Sequence, residues 1–361
     1  MNRWLEIDLG AIKHNIEVIK NKIAWPKVKL MPVVKANAYG HGAIEVAKVL
    51  EKEKVDFLAV ATFDEAVELR KNNIKTPILI IGYIDKDEIE EAIKNTISMS
   101  VYDLEMTRKI SQAAKKINIK ANIHLKLDSG MHRLGFMPED FICAYKKLSN
   151  EKFLMIDYLY THFADITNTV FTSKQLKVLD NILEQIKKEK LPSLKVHISR
   201  SEGLDIPKTY YDIVRPGLAI YGLSNLKGLE PALTFKTKIG QVKNIKKGDF
   251  VGYSLTYKAL KDMKIATIAV GYSDGYGRNL SNKGEVIVNG TKCPVIGRVC
   301  MNLTIINVDK VKNPKIGDEV ILIGKSGREG ITAIDLAKKI NTIPYEIVSR
   351  IPKEIPRIFK K

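Results

Sequence analysis

From the N-terminus to about residue 220, short apolar runs alternate with amphipathic segments. The runs "LMPVVK" (30–35), "FLAVA" (57–61), "PILIIG" (77–82) and "SMSVY" (98–102) read as strands. "IHLKLD" (123–128), "YLYTHF" (158–163), "LKVHIS" (194–199) and "DIVRPG" (212–217) continue the set. The intervening segments have helical periodicity. Ile12, Ile16, Ile19 and Ile23 are spaced by four, three and four, which puts them on one helical face. "DEAVELRKNN" and "SKQLKVLDNILEQIKKEK" are similar. Eight strands alternating with helices predict an α/β fold, a (β/α)8 TIM-type barrel. On pattern alone a doubly wound open sheet is the rival.

Beyond about residue 225 the texture changes. "VGYSLTY", "KIATIAVGY", "GEVIVNGTKCPVIGRVC", "LTIINVD" and "GDEVILIG" are rich in β-branched residues, with turn signals such as Asn289-Gly290. One helix, "TAIDLAKKIN", interrupts them. The expected organisation is a barrel over 9–225 and a C-terminal, mostly β domain made of 1–8 and 226–361.

A chain of 361 residues is long enough for two domains. Hydrophobic content of 45% and charged content of 28% fit a soluble globular protein. No apolar run approaches the ~18 residues of a membrane span. Glu6 and Asp8 interrupt any signal-peptide core, so the cytoplasm is expected and no membrane partner. Cys143, Cys293 and Cys300 are odd in number and lack metal-like spacing, which favours reduced core thiols and no metal. The net charge of +18 raises the question of nucleic acid. Its lysines are dispersed in short pairs such as Lys115-Lys116, without an aromatic-and-basic cluster, so a nucleic-acid partner is not expected.

In a barrel the C-terminal strand ends carry the chemistry. The stretch "PVVKANAYGHG" ends the first strand in Lys35 and breaks into a polar, Gly-rich turn. Asp128 and Arg133 follow the fifth strand and His162 the sixth. Arg200 and Ser201 follow the seventh, and Arg215-Pro216-Gly217 closes the eighth. Along the fifth strand, Asn122, His124, Lys126 and Asp128 alternate with Ile123, Leu125 and Leu127. The polar set is predicted to face the barrel interior, with Asp128 as the simplest partner for Lys126. A lysine beside a Gly-rich turn suits a Schiff base with pyridoxal phosphate (PLP), although a lone buried lysine is more often part of a structural ion pair. Ser201, the Gly217-Leu218 backbone and tyrosine hydroxyls could hold a phosphate, and Arg215 could face a pyridine nitrogen.

The motifs "VVKANAYGHG", "KLDSGMHRLGF", "THFADI", "VRPGLAIYG", "VGYSLTY", "VGYSDGYGR" and "GRVCMN" occur in an order that resembles the alanine racemases. The resemblance runs from "WLEIDLGAIKHN" to "YEIVSRIPKEIPRIF". It implies a PLP enzyme interconverting L- and D-alanine, a homodimer with composite active sites, supplying D-alanine for peptidoglycan. By this resemblance Lys35 carries the cofactor as an aldimine and is one catalytic base. Tyr253, delivered from the other subunit, matches the second. Tyr39, Ser201, Gly217, Leu218 and Tyr345 match phosphate-holding positions. Arg215 matches the partner of the pyridine nitrogen, and His162 the residue supporting it. Arg133 and the Met301 backbone match contacts to the substrate carboxylate. Tyr272 matches a tyrosine on the substrate's path in, and Lys126 a lysine often carbamylated. Two positions depart from the family pattern: Asn302 stands where Asp is usual, and Arg200 where Asn usually precedes the phosphate-binding serine.

Racemisation removes the α-proton on one face and returns one on the other, which two flanking bases do more simply than one. Tyrosine starts near pKa ~10, so Tyr253 needs cationic surroundings to act as a phenolate. Arginine stays protonated, so a pyridine nitrogen facing Arg215 accepts a hydrogen bond and remains unprotonated, which suppresses transamination. The alternatives are a racemase of another amino acid such as serine, or a PLP-dependent decarboxylase of the same two-domain plan. Arg215 in place of a carboxylate argues against the decarboxylase, and the C-terminal domain with Tyr253 argues against a non-catalytic PLP carrier.

Overall fold

A computed structural model describes residues 2–361. The chain packs as two compact units. One comprises Lys13–Ala36 and Ala43–Leu229; the other comprises the N-terminal residues through Ile12, the short segment Asn37–Gly42, and Glu230–Lys361.

The first unit is a parallel barrel. Its strands, in chain order, are Lys29–Leu30, Leu58–Val60, Ile78–Ile80, Ile97–Val101, Ala121–Lys126, Leu154–Tyr160, Lys195–Arg200 and Ile213–Arg215. From the second to the eighth each pairs with the next, and the eighth pairs with the first. A bridge between Val33 and Ala59 closes the ring, with Val34 N–H donating to Ala59 C=O and Ala59 N–H to Pro32 C=O, both at 2.9 Å. All eight runs singled out in the sequence are barrel strands.

Amphipathic helices follow most strands, and Leu9–Lys22 precedes the first. Ile12, Ile16, Ile19 and Ile23 are all buried, as their spacing requires. Caps fix several helix starts. Thr62 Oγ1 accepts from Glu65 N–H, and Asp103 accepts from Met106 N–H. After the seventh strand the sequence pattern gives way. Two 3-10 turns, Ser201–Asp205 and Pro207–Thr209, replace a full helix. Pro207 is tolerated at the start of the second turn, where no N–H is needed.

The second unit is built on a nine-stranded sheet. Its long central strand Leu233–Ile245 pairs antiparallel with Arg3–Asp8, Met263–Ile268 and Glu319–Ser326. Arg3–Asp8 also pairs in parallel with Arg357–Lys360, so both ends of the chain enter one sheet. Asn289 and Gly290, at φ 47° and 74°, form the two-residue hairpin turn between Glu285–Val288 and Thr291–Pro294. The helix expected at "TAIDLAKKIN" spans Ala333–Lys339, with Thr332 and Asp335 forming a reciprocal capping box. A second short helix, Pro344–Ser349, was not read from sequence. Its signal is Pro344 at the first helical position.

Candidate active site

The barrel's C-terminal strand ends carry most of the candidate residues. Lys35 opens a helical turn, Lys35–Tyr39, of unusual hand. Ala36, Asn37, Ala38 and Tyr39 have φ of 52°, 53°, 52° and 53°, the left-handed region. For L-residues this costs about 1–2 kcal/mol each, and such strain persists only where surrounding contacts over-determine it. One contact is visible at its start: Glu65 accepts from Ala36 N–H at 2.6 Å with one oxygen and from Ala61 N–H at 2.8 Å with the other. At its far end Gly40 (φ 81°) lies against Val348, where a Cβ would come within 2.4 Å of the carbonyl oxygen. Arg357 Nε donates to Gly40 C=O at 2.9 Å. Lys35 does not end the first strand as expected: that strand stops at Leu30, Val33 makes only a single bridge, and Lys35 opens the turn in a half-buried position. Burial, and then the Arg133 guanidinium, hold the Lys35 amine below its ordinary pKa, opposed by Glu65.

Lys126 ends the fifth strand and is buried. Burial first, then Arg215 and Arg133, push its amine down to about 7. Its Nζ sits 4.4 Å from the centre of the Tyr160 ring. The expected Lys126–Asp128 ion pair does not form among the described residues. Asp128 instead uses one oxygen to accept from the backbone N–H groups of Gly130 (2.9 Å) and His132 (3.0 Å). Those bonds shape the loop carrying Arg133, because a short carboxylate satisfies nearby backbone donors more readily than a lysine on its own strand. Gly135 (φ 141°) closes the loop, and a Cβ there would lie 2.4 Å from Asp128 N. Arg133 itself is exposed.

Arg215 ends the eighth strand, 4% exposed. Its Nη1 donates to His197 Nδ1. Its Nη2 donates to Thr161 C=O at 2.8 Å, and also reaches His162 Nδ1 and Ile198 C=O, each at 3.3 Å. Both terminal nitrogens are therefore committed to the protein. Burial lowers the Arg215 pKa to about 10, still cationic at neutral pH. The same burial, together with Arg215, holds His162 well below its ordinary value, so it is a neutral imidazole. Ser201 Oγ accepts from Gly217 N–H at 2.9 Å and Ala219 N–H at 3.1 Å. Gly217 and Leu218 begin a 3-10 turn, Leu218–Tyr221, so hydroxyl and backbone donors gather at one point. Arg200 forms an ion pair with Glu202 at 3.1 Å.

The remaining candidates belong to the second unit. The Tyr39 and Tyr345 rings meet at 5.5 Å and 48°. Tyr272 and Met301 lie on two loops held together. Tyr272 N–H donates to Cys300 C=O, and Ser273 N–H to Met301 C=O, both at 3.0 Å. Asn302 Nδ2 donates to Ser273 Oγ at 2.7 Å, so this departure from the family pattern bonds across the same pair of loops. Tyr253 stands on the turn Tyr253–Leu255, after Gly252 at φ 73°. It is 67% exposed.

Sequence reasoning missed His197 as a site component. Lys195, His197 and Ser199 alternate with Val196 and Ile198, the same pattern that flagged the fifth strand.

The residues matching alanine racemase, N-terminal domain, are 7–225, and those matching alanine racemase, C-terminal domain, are 232–359. The chain belongs to the alanine racemase family. An alanine racemase of Methanococcus maripaludis is 39% identical, over 99% of this chain and 98% of the relative. An alanine racemase structure from Clostridium difficile 630 matches with a TM-score of 0.92 at 37% identity, covering 100% and 96% of the two chains. A crystal structure of alanine racemase from Bartonella henselae, described with covalently bound pyridoxal phosphate, matches with a TM-score of 0.90 at 28% identity over 100% of both chains. Alanine racemases are isomerases that depend on PLP. Among the described residues no helix is long and apolar enough to cross a membrane.

Proposed function

We propose that the chain interconverts L- and D-alanine with PLP held at the barrel's C-terminal strand ends, using Lys35 and Tyr253 of a second copy as the two bases. The observation that carries this reading is the state of Arg215. Its two terminal nitrogens are spent on His197, His162 and two carbonyls, and Nε–H has no protein acceptor among the described residues. One fixed donor is thus left for a ligand atom that can only accept, such as an unprotonated pyridine nitrogen. The other residues fit PLP as well. Ser201 Oγ now collects the Gly217 and Ala219 N–H groups, and a phosphate could take its place as their acceptor with the Ser201 hydroxyl turned to donate, to which the Leu218 backbone and the Tyr39 and Tyr345 hydroxyls would add. Lys35 has the depressed amine that condensation with an aldehyde requires.

When bound, the cofactor supplies an electron-withdrawing ring that acidifies the substrate α-proton. Lys35 takes or returns that proton on one face at Nζ, and the partner's Tyr253 does so at its phenolic oxygen on the other. Arg133 and the Met301 backbone orient the substrate carboxylate, and Tyr272 lines its way in. Arg215 stays a cation and gives its Nε proton to no one, which keeps the ring a moderate electron sink and protects the reaction from transamination. His162, neutral, accepts from Arg215 and fixes its plane. Lys126 at a pKa of about 7 offers a free amine to dissolved carbon dioxide; its nitrogen would bond the carbon and release one N–H proton to water, and the resulting carbamate would orient Arg133. D-alanine so made would serve peptidoglycan synthesis, and the reaction would run in the cytoplasm.

The experiment is direct. Purified protein incubated with each L-amino acid in turn is assayed for the D-enantiomer by chiral chromatography. Alanine is expected to turn over fastest. Faster turnover of serine would move the substrate, and no D-product from any amino acid would refute the reading.

A further inference from the structure

A second cavity, of about 570 Å³, opens at the opposite, N-terminal end of the barrel strands. It falls within the range of small-molecule pockets, ~300–1,000 Å³. Nothing in the racemase chemistry uses it. His124, from the middle of the fifth strand, reaches its wall.

The proton positions along the barrel axis follow from Arg215. An arginine only donates, so His197 Nδ1 must accept and the His197 proton sits on Nε2. That Nε2 lies 3.0 Å from His124 Nδ1 and donates to it. The His124 proton is then on Nε2, the far edge of the ring, where no acceptor is found among the described residues. Burial and Arg215 keep both imidazoles neutral, His124 at about 3 and His197 well below its ordinary value, so neither gains a second proton. The rings are also clamped. His124 stacks on Tyr158 at 4.3 Å and 17°, and His197 on Tyr160 at 4.8 Å and 3°. A polarised chain of donors thus runs from Arg215 and ends in an unanswered N–H beside a cavity. A donor that faces the cavity with no protein acceptor is open to a ligand that supplies one.

We propose that this cavity binds a small organic carboxylate, one oxygen of which accepts the His124 Nε2–H. Ser98 and Asn122 line the same wall and can donate to the second oxygen. Phe57 and Tyr158, packed edge to face at 5.6 Å, flank the ligand's apolar body. The mouth carries charges of both signs, and Arg70 and Lys75 are the cations that could meet an anion's approach. On the acidic side stand Asp157 in the lining and Glu51, Asp56 and Asp212 behind it, while Lys94 is matched by Glu90 at 3.0 Å. Arg70 is held in place by the carbonyls of Ile74, Thr76 and Asn95 at 2.8–3.1 Å. A bound carboxylate draws the His124 proton outward, makes Nδ1 a stronger acceptor, and so tightens each bond back to Arg215. Occupancy at one end of the barrel then bears on the arginine at the other. The site stands whether or not Arg215 faces a pyridine nitrogen.

The test uses 4-bromobenzoate and the holoenzyme. Crystals soaked in the probe report its position through bromine anomalous scattering, which separates this cavity from binding near Arg133. Solution titration of protein labelled with ¹⁵N-histidine follows the His124 Nε2 resonance. The expected result is a bromine peak in the N-terminal cavity and a saturable shift at His124 Nε2. The substitution His124→Phe keeps the stacking ring, removes the donor and should weaken binding at least about tenfold. Ser98→Leu narrows the cavity, leaves the histidine chain intact, and should weaken binding similarly while racemase activity persists. Bromine found only at the C-terminal strand ends, or an affinity unchanged in both folded variants, would overturn the proposal.

Discussion

Arg215 and Ser201 in the barrel, and Tyr253, Met301 and Tyr272 in the β-sheet unit, are held in opposite ways. In the barrel, Arg215 and Ser201 are 4% and 3% exposed, and every bond that orients them comes from their own fold. In the β-sheet unit, Tyr253, Met301 and Tyr272 are 67%, 56% and 40% exposed, with Leu255 beside Tyr253 at 61%. The groups proposed to present fixed donors to a cofactor are locked by burial. Groups proposed to act across a subunit boundary sit on exposed turns, where a second copy can cover them. On the proposed reading, the buried barrel groups are organised within one chain, and the exposed Tyr253 would act only where a second copy covers it.

The largest expected effect breaks the barrel half. Lys35→Ala should lower racemisation by about 10⁴-fold or more, since it removes both the cofactor's anchor and one base. Borohydride treatment of the unmodified protein should attach the pyridoxyl group to the peptide containing Lys35. Recovery of the label on another lysine would put the site elsewhere. Tyr253→Phe tests the exposed half and should cost about 10²–10⁴-fold. Mixing it with Lys35→Ala chains gives mixed dimers with one intact site. At random exchange, about half the dimers with one of two sites intact gives about a quarter of normal activity. Subunit exchange without any recovery would mean that both bases come from one chain, and the contrast between the two units would lose its functional meaning.

Arg215→Glu sharpens the barrel side. A carboxylate there favours a protonated pyridine nitrogen, so racemisation should fall at least about tenfold while the fraction of turnovers ending in transamination rises. Bound cofactor is measured in the same sample. A variant that keeps its cofactor with no change in side reaction would show that Arg215 lies elsewhere. Gly135→Ala addresses the loop carrying Arg133. With φ of 141° and a Cβ 2.4 Å from Asp128 N, it should destabilise the fold by about 1–3 kcal/mol in urea titration.

The smallest effect concerns Lys126. Its folded-state pKa, about 7, lies below the unfolded value near 10.5. Between those values the unfolded chain holds the extra proton, so this group makes stability rise as pH rises through the window. Lys126→Met should flatten that slope between about pH 7 and pH 10 and raise stability relative to the parent below it. An unchanged slope would mean that Lys126 is already carbamylated or paired.

Much of this was legible in the sequence because it depends on local periodicity. The isoleucines of Leu9–Lys22 announced a buried face, and the alternation in Ala121–Lys126 announced an interior histidine and lysine. Less legible were features set by distant contacts. The left-handed turn after Lys35 violates the preference of Ala36 and Ala38 and is sustained by Glu65 and by backbone packing at Gly40. Asp128 was expected to serve Lys126, but it is spent on the loop that follows it.

The sequence by itself determined which strands form, which faces they bury and which residue types stand at the strand ends, because these follow from spacing and side-chain chemistry along the chain. Tertiary structure alone decided which partner each polar group takes. Arg215 could have met any acceptor. Ring closure between Val33 and Ala59 completes the barrel, and His197 and His162 arrive beside Arg215 from the neighbouring strand and from the loop after the sixth. Hydrogen bonds between groups tens of residues apart carry no sequence signature, since their distance is set by the closed sheet and not by the intervening chain.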